Sequence, residues 1–145
     1  MLRFIPHPIP NVNNNILYMR EYIIFLFLLL ADCAIDDNFN KCNTLIGKLL
    51  TFGHHVVDVF RWFGPFLFPC YLVHFVLVVG FIIGWHLFGG CFLVPYVNKL
   101  CGLHKSCQWT SLMKTLLQKT GNSEKVEYLL TFIILAYDLY FILKL

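Results

Sequence analysis

A long, mostly apolar stretch between residues 45 and 88 is the feature that most restricts how this chain can fold. A membrane-spanning helix needs about 20 residues, so the stretch is too long to cross a bilayer only once. The segment GPFLFP (64–69) interrupts it with two prolines, which lack a backbone donor and disfavour helix in the residue before them. The stretch therefore predicts a hairpin of two transmembrane helices, 45–63 and 70–89, that turns within residues 64–69.

The composition of the chain also places it in a membrane. Of its 145 residues, 59% are hydrophobic and 13% are charged, whereas soluble domains are about 45–50% apolar and about 25% charged. Such a chain is too apolar to fold in water as a monomer, so we expect one membrane domain, residues 16–145. Residues 1–15 hold three prolines and four asparagines, which predicts a disordered leader.

Two further apolar segments, 16–35 and 126–143, flank the hairpin. Each is long enough for one more span, which predicts an all-α membrane protein with about four transmembrane helices and a central helical hairpin. A cleaved signal peptide is the alternative for the first segment. A basic flank precedes its short apolar core there, and Ala31 and Cys33 frame a candidate cleavage site.

The segment 107–119 has the periodicity of an amphipathic helix. Its apolar residues recur at helical spacing, namely Trp109, Leu112, Met113, Leu116 and Leu117. Polar residues take the opposite side of the same turns, namely Lys114, Gln118 and Lys119. This helix is too short and too polar to span, so we expect it at the membrane interface. Packing against the protein's own loops is the alternative.

The distribution of basic residues predicts an orientation in the membrane. Seven lysines lie in the loops 36–48 and 90–125, and four basic residues lie on the opposite face, namely Arg3, Arg20, Arg61 and Lys144. By the positive-inside rule the loops face the cytosol. The loop cysteines are then expected to be free thiols in a reducing compartment, namely Cys42, Cys91, Cys101 and Cys107. Pairing of Cys33 with Cys42 is left open.

Two histidines, His74 and His86, lie in the second arm of the hairpin. They are about 18 Å apart along one helix and about 120° apart around it, so they cannot share a metal ion. In the first arm, His54, Asp58 and Arg61 follow one another at helical spacing and form a polar stripe. One interpretation is a haem-ligating or proton-handling site across the hairpin. The other is a structural polar cluster of His54, Asp58, Arg61 and His74 inside the bundle, which we favour.

The end of the second arm predicts interfacial anchoring. Trp85 and His86 lie where headgroups are expected, and Trp109 is assigned the same role in the amphipathic segment. Gly80 and Gly84 are expected to let another helix approach closely between the two histidines. The sequence has no set of nucleophile, base and orienting residue, no phosphate-binding glycine loop and no zinc-ligand pattern. It therefore predicts no enzyme activity, no cofactor and no metal.

Four motifs follow one another in and after the hairpin, namely Pro65-Phe66, Leu72-Val73-His74, Gly84-Trp85-His86 and Cys91-Phe92-Leu93. In this pattern, about residues 45–100 resemble small multi-pass membrane proteins of nucleocytoplasmic large DNA viruses. Trp-His replaces the family's His-Trp, and Gly89-Gly90 replaces its Asn-rich turn. The resemblance implies a viral membrane protein without known enzymatic activity. Its location would be the internal membrane beneath a capsid, or a host membrane derived from the endoplasmic reticulum.

Three functions follow as hypotheses. The first is a structural or scaffold protein of a large viral particle that links its internal membrane to capsid or other membrane proteins. The second is a small membrane-anchor or haem-bearing subunit of a respiratory complex, since His54 and Asp58 resemble the His-x-x-x-Asp stretch of succinate dehydrogenase anchors. The third is an oligomeric pore lined by Asp58 and Asp138. The scattered lysines do not indicate nucleic-acid binding.

Overall fold

The structure is a computed structural model that describes residues 12–88, 90–91, 93–104, 107, 109–118 and 123–144. Within these ranges the chain is helical and contains no β-strand, which confirms the predicted all-α class. The helices are α1 (Val12–Ile35), α2 (Asp37–Lys41), α3 (Leu45–Leu67), α4 (Tyr71–Phe88), α5 (Leu93–Leu100), α6 (Leu112–Gln118) and α7 (Ser123–Lys144).

The four long helices α1, α3, α4 and α7 form an antiparallel bundle in which α3 contacts the other three. At one end, the rings of Tyr22 and Phe25 on α1 lie 5.3 and 5.6 Å from that of Phe68. There too, Tyr71 at the start of α4 stacks 4.7 Å from Phe141 near the end of α7. We call this the turn end. The opposite end, formed by the described residues of 36–44 and 90–118, is the loop end.

Among the described residues, two helices are long and apolar enough to cross a membrane, at Tyr71–Phe88 and Lys125–Lys144. By length and composition, two helices therefore qualify as membrane spans, whereas the sequence predicts four. Helices α1 and α3 are of similar length and carry charged residues within their apolar runs, including Asp32 on α1 and both Asp58 and Arg61 on α3. The orientation of those charged side chains, toward the bundle interior or toward its surface, decides whether α1 and α3 can also cross a bilayer.

The helix boundaries differ from the predicted ones at the first segment and at the turn. Helix α1 begins at Val12, inside the predicted leader, while residues 1–11 lie outside the described residues. Helix α3 continues through Pro65 to Leu67, so the turn is confined to residues 68–70 instead of starting at residue 64. A proline in the last turn interrupts one backbone hydrogen bond without ending the helix, because a new partner meets the carbonyl that it leaves free.

The predicted interfacial helix packs on the protein itself. Helix α6 is shorter than the predicted segment 107–119, contacts α1 and α7, and buries Leu117. Trp109 precedes the helix and is only 7% exposed, and its indole N–H donates to Oδ1 of Asn98 at 3.2 Å. Trp109 is therefore not the interfacial anchor that the sequence predicts. Its N–H finds a protein partner, so it needs neither water nor headgroups.

A disulfide between Cys42 and Cys101 closes the loop end and corrects the expectation that both are free thiols. Their Cα atoms are 4.6 Å apart, and the bond ties the end of α5 to the start of α3. Thr44 reinforces it, because its hydroxyl accepts from the Gly47 N–H at 3.2 Å and donates to the Leu100 carbonyl at 3.2 Å. Gly47 is required there, since a Cβ would lie 2.5 Å from the sulfur of Cys101. Cys33, Cys70, Cys91 and Cys107 are free.

Candidate functional site

The first buried cluster joins three helices at the turn end of the bundle. Nδ1 of His74 on α4 lies 2.5 Å from Oδ2 of Asp138 on α7, and both side chains are completely buried. Nε2 of His74 lies 3.0 Å from the backbone carbonyl of Arg61 on α3. A carbonyl only accepts, so Nε2 carries a hydrogen and donates it. One further proton is shared between Nδ1 and the carboxyl group, which leaves the pair neutral overall.

The Gly64-Pro65 pair of α3 lets the ring of His74 pack against the helix backbone. Pro65 has no N–H, so the carbonyl of Arg61, four residues earlier, loses its helical partner. The imidazole of His74 supplies the missing donor. Gly64 lets the ring approach, because a Cβ at this position would lie 3.0 Å from Cδ2 of His74 and 2.9 Å from the ring of Phe60. The Gly64-Pro65 pair, which predicts a turn in the sequence, therefore forms a binding site for the His74 side chain.

One oxygen of this cluster is left without a partner. Oδ1 of Asp138 is buried and accepts no hydrogen bond from any described residue. An unsatisfied buried acceptor costs about 1–3 kcal/mol, and more for a charged group. The contact with His74 is therefore what makes the burial of Asp138 tolerable.

The second cluster surrounds the guanidinium of Arg61, between α3 and α7. Its Nη2 donates to Oε1 of Glu127 at 2.7 Å and to the hydroxyl of Thr131 at 3.2 Å. Asp58, the partner expected from the sequence, lies farther away, with Oδ1 3.9 Å from Nη1. The guanidinium carbon also lies 4.5 Å from the ring centre of Trp62. Arg61 is thus held mainly by α7, and Asp58 adds a second negative charge beside it.

The third cluster lies nearer the loop end and joins α1 to α3. Nδ1 of His55 is 2.7 Å from Oδ2 of Asp32, and Nε2 is 3.2 Å from Oδ2 of Asp36. All three side chains are buried. Both contacts are hydrogen bonds only when both ring nitrogens carry hydrogens, so this geometry fits an imidazolium between two carboxyl groups. The remaining oxygens accept backbone N–H groups, Leu112 on Asp32 at 2.5 Å and Thr110 on Asp36 at 3.5 Å.

The predicted polar cluster of His54, Asp58, Arg61 and His74 is only partly brought together. Asp58 approaches the side chain of Arg61, and His74 bonds its backbone carbonyl. His54 lies elsewhere, with its ring 4.5 Å from that of Trp109 and its Nδ1 3.9 Å from the sulfur of Cys91. Five partners on other segments are not predicted from the sequence, namely Asp32, Asp36, His55, Glu127 and Asp138 as a partner of His74. Single carboxylates inside apolar segments were the available signal for Asp32 and Asp138.

The second arm shows how the remaining predicted residues are placed. Trp85 and His86 are exposed near the loop end of α4, where interfacial anchoring stays a prediction. A Cβ added at Gly80 or Gly84 would meet no atom within 4 Å. No described helix of this chain approaches these glycines, so the expected close packing between the histidines is wrong within one chain. That packing occurs at Gly64 instead.

The contacts of the buried side chains bear on the metal, haem and pore hypotheses. No group of three or more His, Cys, Asp or Glu side chains within the described ranges could hold a metal ion. Protein atoms contact both ring nitrogens of His55 and of His74, so ligation of iron by either would break an existing contact. Asp138 is wholly buried against His74, and this does not fit a pore-lining residue.

An apolar cleft lies between α3 and α4. Its volume is about 200 Å³, and among its lining residues are Phe60, Arg61, Leu77 and Phe81. Sites for drug-sized ligands and cofactors are larger, about 300–1,000 Å³, and present several convergent polar groups. The ionisable residue of this lining, Arg61, already pairs with Glu127. The cleft therefore does not favour a haem or another polar cofactor.

Comparison with known proteins gives no family for the chain. No protein-family model matches it, and neither a curated protein nor a solved structure is similar to it. The resemblance of residues 45–100 to viral membrane proteins therefore stays a hypothesis. The three buried clusters and the surface around them are the features of the molecule that bear on its function.

The close packing of His74 against Gly64 predicts that alanine has opposite effects on stability at two glycines of α3. Gly64→Ala should destabilise the protein by about 1–3 kcal/mol, because the new methyl group overlaps Phe60 and His74. Gly53→Ala is the matched control, since its Cβ would meet no atom within 4 Å and alanine favours helix by about 0.5–1 kcal/mol. Thermal unfolding of both variants in one detergent measures the difference. Equal midpoints for the two variants would contradict the close packing at Gly64.

Proposed function

We propose that this protein is a structural, non-catalytic integral membrane protein whose four long helices cross the bilayer. The observation that carries the proposal is that the buried histidines His55 and His74 use both ring nitrogens to join helices. In an apolar surrounding, such contacts hold a bundle in one arrangement because each partner would otherwise be an unsatisfied polar group. The ionisable residues then act as helix-to-helix connections.

The distribution of apolar surface supports four spans. On α4 and α7 most apolar side chains point outward, unlike those of a core helix in a soluble protein. Helices α1 and α3 also present apolar surface, for example Phe27, which is 71% exposed, and Leu45, which is 74% exposed. Their charged residues Asp32 and Arg61 point inward and are paired. Apolar side chains outside and paired charges inside are the pattern expected of helices in lipid.

The respiratory-subunit alternative has less support in the geometry. It relies on His54 and Asp58 as a pair, but His54 contacts Trp109 and Cys91 instead. His74, the other candidate ligand, is held between Asp138 and a backbone carbonyl. A haem on either side of the hairpin would have to displace these contacts.

A double-mutant cycle on the turn-end cluster tests the structural role. His74→Leu and Asp138→Leu should each cost about 3–5 kcal/mol, because each leaves a buried polar partner alone. The double variant should cost less than the sum of the two, because neither an unpaired carboxyl group nor an unpaired imidazole remains, and only the Arg61 carbonyl loses its donor. His86→Leu, on the exposed part of the same helix, should change little. Thermal unfolding in detergent measures all four. Additive effects, or a haem absorption band that His74→Leu removes, would contradict the proposal.

The disulfide supports a membrane orientation opposite to the one expected from the lysines. Disulfides form and persist in oxidising compartments such as the lumen of the endoplasmic reticulum. We therefore place the loop end with Cys42 and Cys101 on the lumenal or extracytoplasmic side, and the turn end with the end of α7 in the cytosol. The lysine majority that favours the reverse is modest, seven against four, and Arg61 among the four lies inside the bundle.

We further propose that the membrane is that of a large viral particle, or the host membrane derived from the endoplasmic reticulum from which it forms. The resemblance of residues 45–100 supports this assignment, and so does a disulfide that an endoplasmic reticulum lumen would allow. Capsid or other membrane proteins of the particle are the proposed partners. In this role the bundle supplies a rigid anchor, and its exposed ends supply the contacts.

The orientation predicts which end a protease reaches in sealed microsomes. An epitope tag added after residue 145 should be digested from outside, because the end of α7 faces the cytosol. The Cys42–Cys101 bond should be present in the same sample, so two of the six cysteines should resist alkylation until a reductant is added. Solubilised microsomes give the control for complete digestion. A protected tag together with six reactive thiols would restore the lysine-based orientation.

A further inference from the structure

We propose that the loop end carries a basic rim, formed by Lys41, Lys48 and Lys99, that binds the headgroups of anionic phospholipids in the adjacent leaflet. The inference rests on α3 crossing the bilayer, as proposed above. It adds a ligand class and a binding surface to a protein whose interior is occupied by structural contacts.

The disulfide gathers the three lysines. Lys41 is the residue before Cys42, and Lys99 lies two residues before Cys101. Lys48 lies in the first turn of α3, next to the glycine that packs against the same bond. Consecutive Cα atoms are about 3.8 Å apart, so all three lysine backbones lie within roughly 10 Å of one disulfide.

These lysines form no ion pair with the acidic side chains that the structure describes. All three are exposed, and none forms an ion pair with a described residue. Most carboxylates of the described chain are instead engaged in the interior, in pairs with His55, Arg61 and His74. The separation leaves the three exposed lysines and one exposed carboxylate, Asp37, in this part of the loop end, and the surplus of positive charge is complementary to phosphate groups.

The level of the rim relative to the bilayer favours lipid over an acidic protein or a free anion. Lys48 shares its part of α3 with exposed apolar side chains, those of Leu45, Ile46 and Leu49. These lie in hydrocarbon if α3 spans, so Lys48 lies about one helical turn inside the hydrocarbon, and its flexible stem reaches outward to the phosphates. Tyr96, which is 56% exposed, lies one turn before Lys99, and tyrosine is enriched at this level of a bilayer.

Lipid retention measured by native mass spectrometry tests the rim. The full chain is released from nanodiscs that contain phosphatidylglycerol and phosphatidylcholine in equal amounts, and the bound lipids are counted. The wild type should retain phosphatidylglycerol preferentially. In the triple variant Lys41→Gln, Lys48→Gln, Lys99→Gln, the preference should fall by about fivefold for each lysine removed. Lys144→Gln, an exposed lysine at the turn end, is the matched control and should keep the preference.

Further measurements distinguish lipid binding by the three lysines from misfolding and from binding of free phosphate. The triple variant should keep the Cys42–Cys101 bond, measured as intact mass without reductant, which shows that it is folded. Reduction of the bond in the wild type should lower the preference, because it frees α5 from α3.

Equal retention of the two lipids, an equal loss in Lys144→Gln, or displacement of the lipid by inorganic phosphate alone would overturn the inference. A chain that enters nanodiscs but shows no preference contradicts only the rim. A chain that does not enter them contradicts the proposed function as well.

Discussion

Pairing of ionisable side chains inside an apolar bundle is the interaction on which the rest of this structure depends. A carboxylate or imidazolium removed from water is costly unless a partner of opposite charge or complementary hydrogen bonding meets it. The three clusters meet that requirement at three levels of the bundle, at His55, Arg61 and His74. Each joins α3 to another helix, so the cost of burial also specifies which helices are neighbours. Many apolar side chains of the long helices can then face outward.

Helix α3 is the centre of this arrangement because it supplies a group to every cluster. It supplies the imidazole of His55, the guanidinium of Arg61 and the carbonyl that Pro65 leaves without a helical partner. The last of these is a carbonyl that lacks its helical donor, and the imidazole of His74 binds to it. At the other end of α3, Gly47 lets the disulfide pack against the helix. Two glycines and a proline therefore let side chains and sulfur approach the backbone closely.

The sequence predicts the local elements well and the long-range contacts poorly. The long helices and the hairpin follow from apolar run length and from the two prolines, which are local properties. The partners Glu127 and Asp138 lie 66 and 64 residues from Arg61 and His74, and helical spacing carries no information over that distance. The disulfide, with a separation of 59 residues, was missed for a different reason. The lysine count placed both cysteines in a reducing compartment, where pairing is not expected. Trp109 fits an interfacial pattern until Asn98 provides a partner for its N–H.

Hydrogen exchange at the histidine rings tests most directly whether buried histidines connect the helices. Of the six histidines in the chain, His55 and His74 should keep their imidazole N–H signals in nitrogen-15 NMR spectra of the protein in nanodiscs after transfer to heavy water. Their hydrogens are buried and bonded to Asp32, Asp36, Asp138 and a backbone carbonyl. The exposed His86 should lose its signal at once. Rapid loss of the signals of His55 and His74, or a His74 nitrogen bound to iron, would contradict this account.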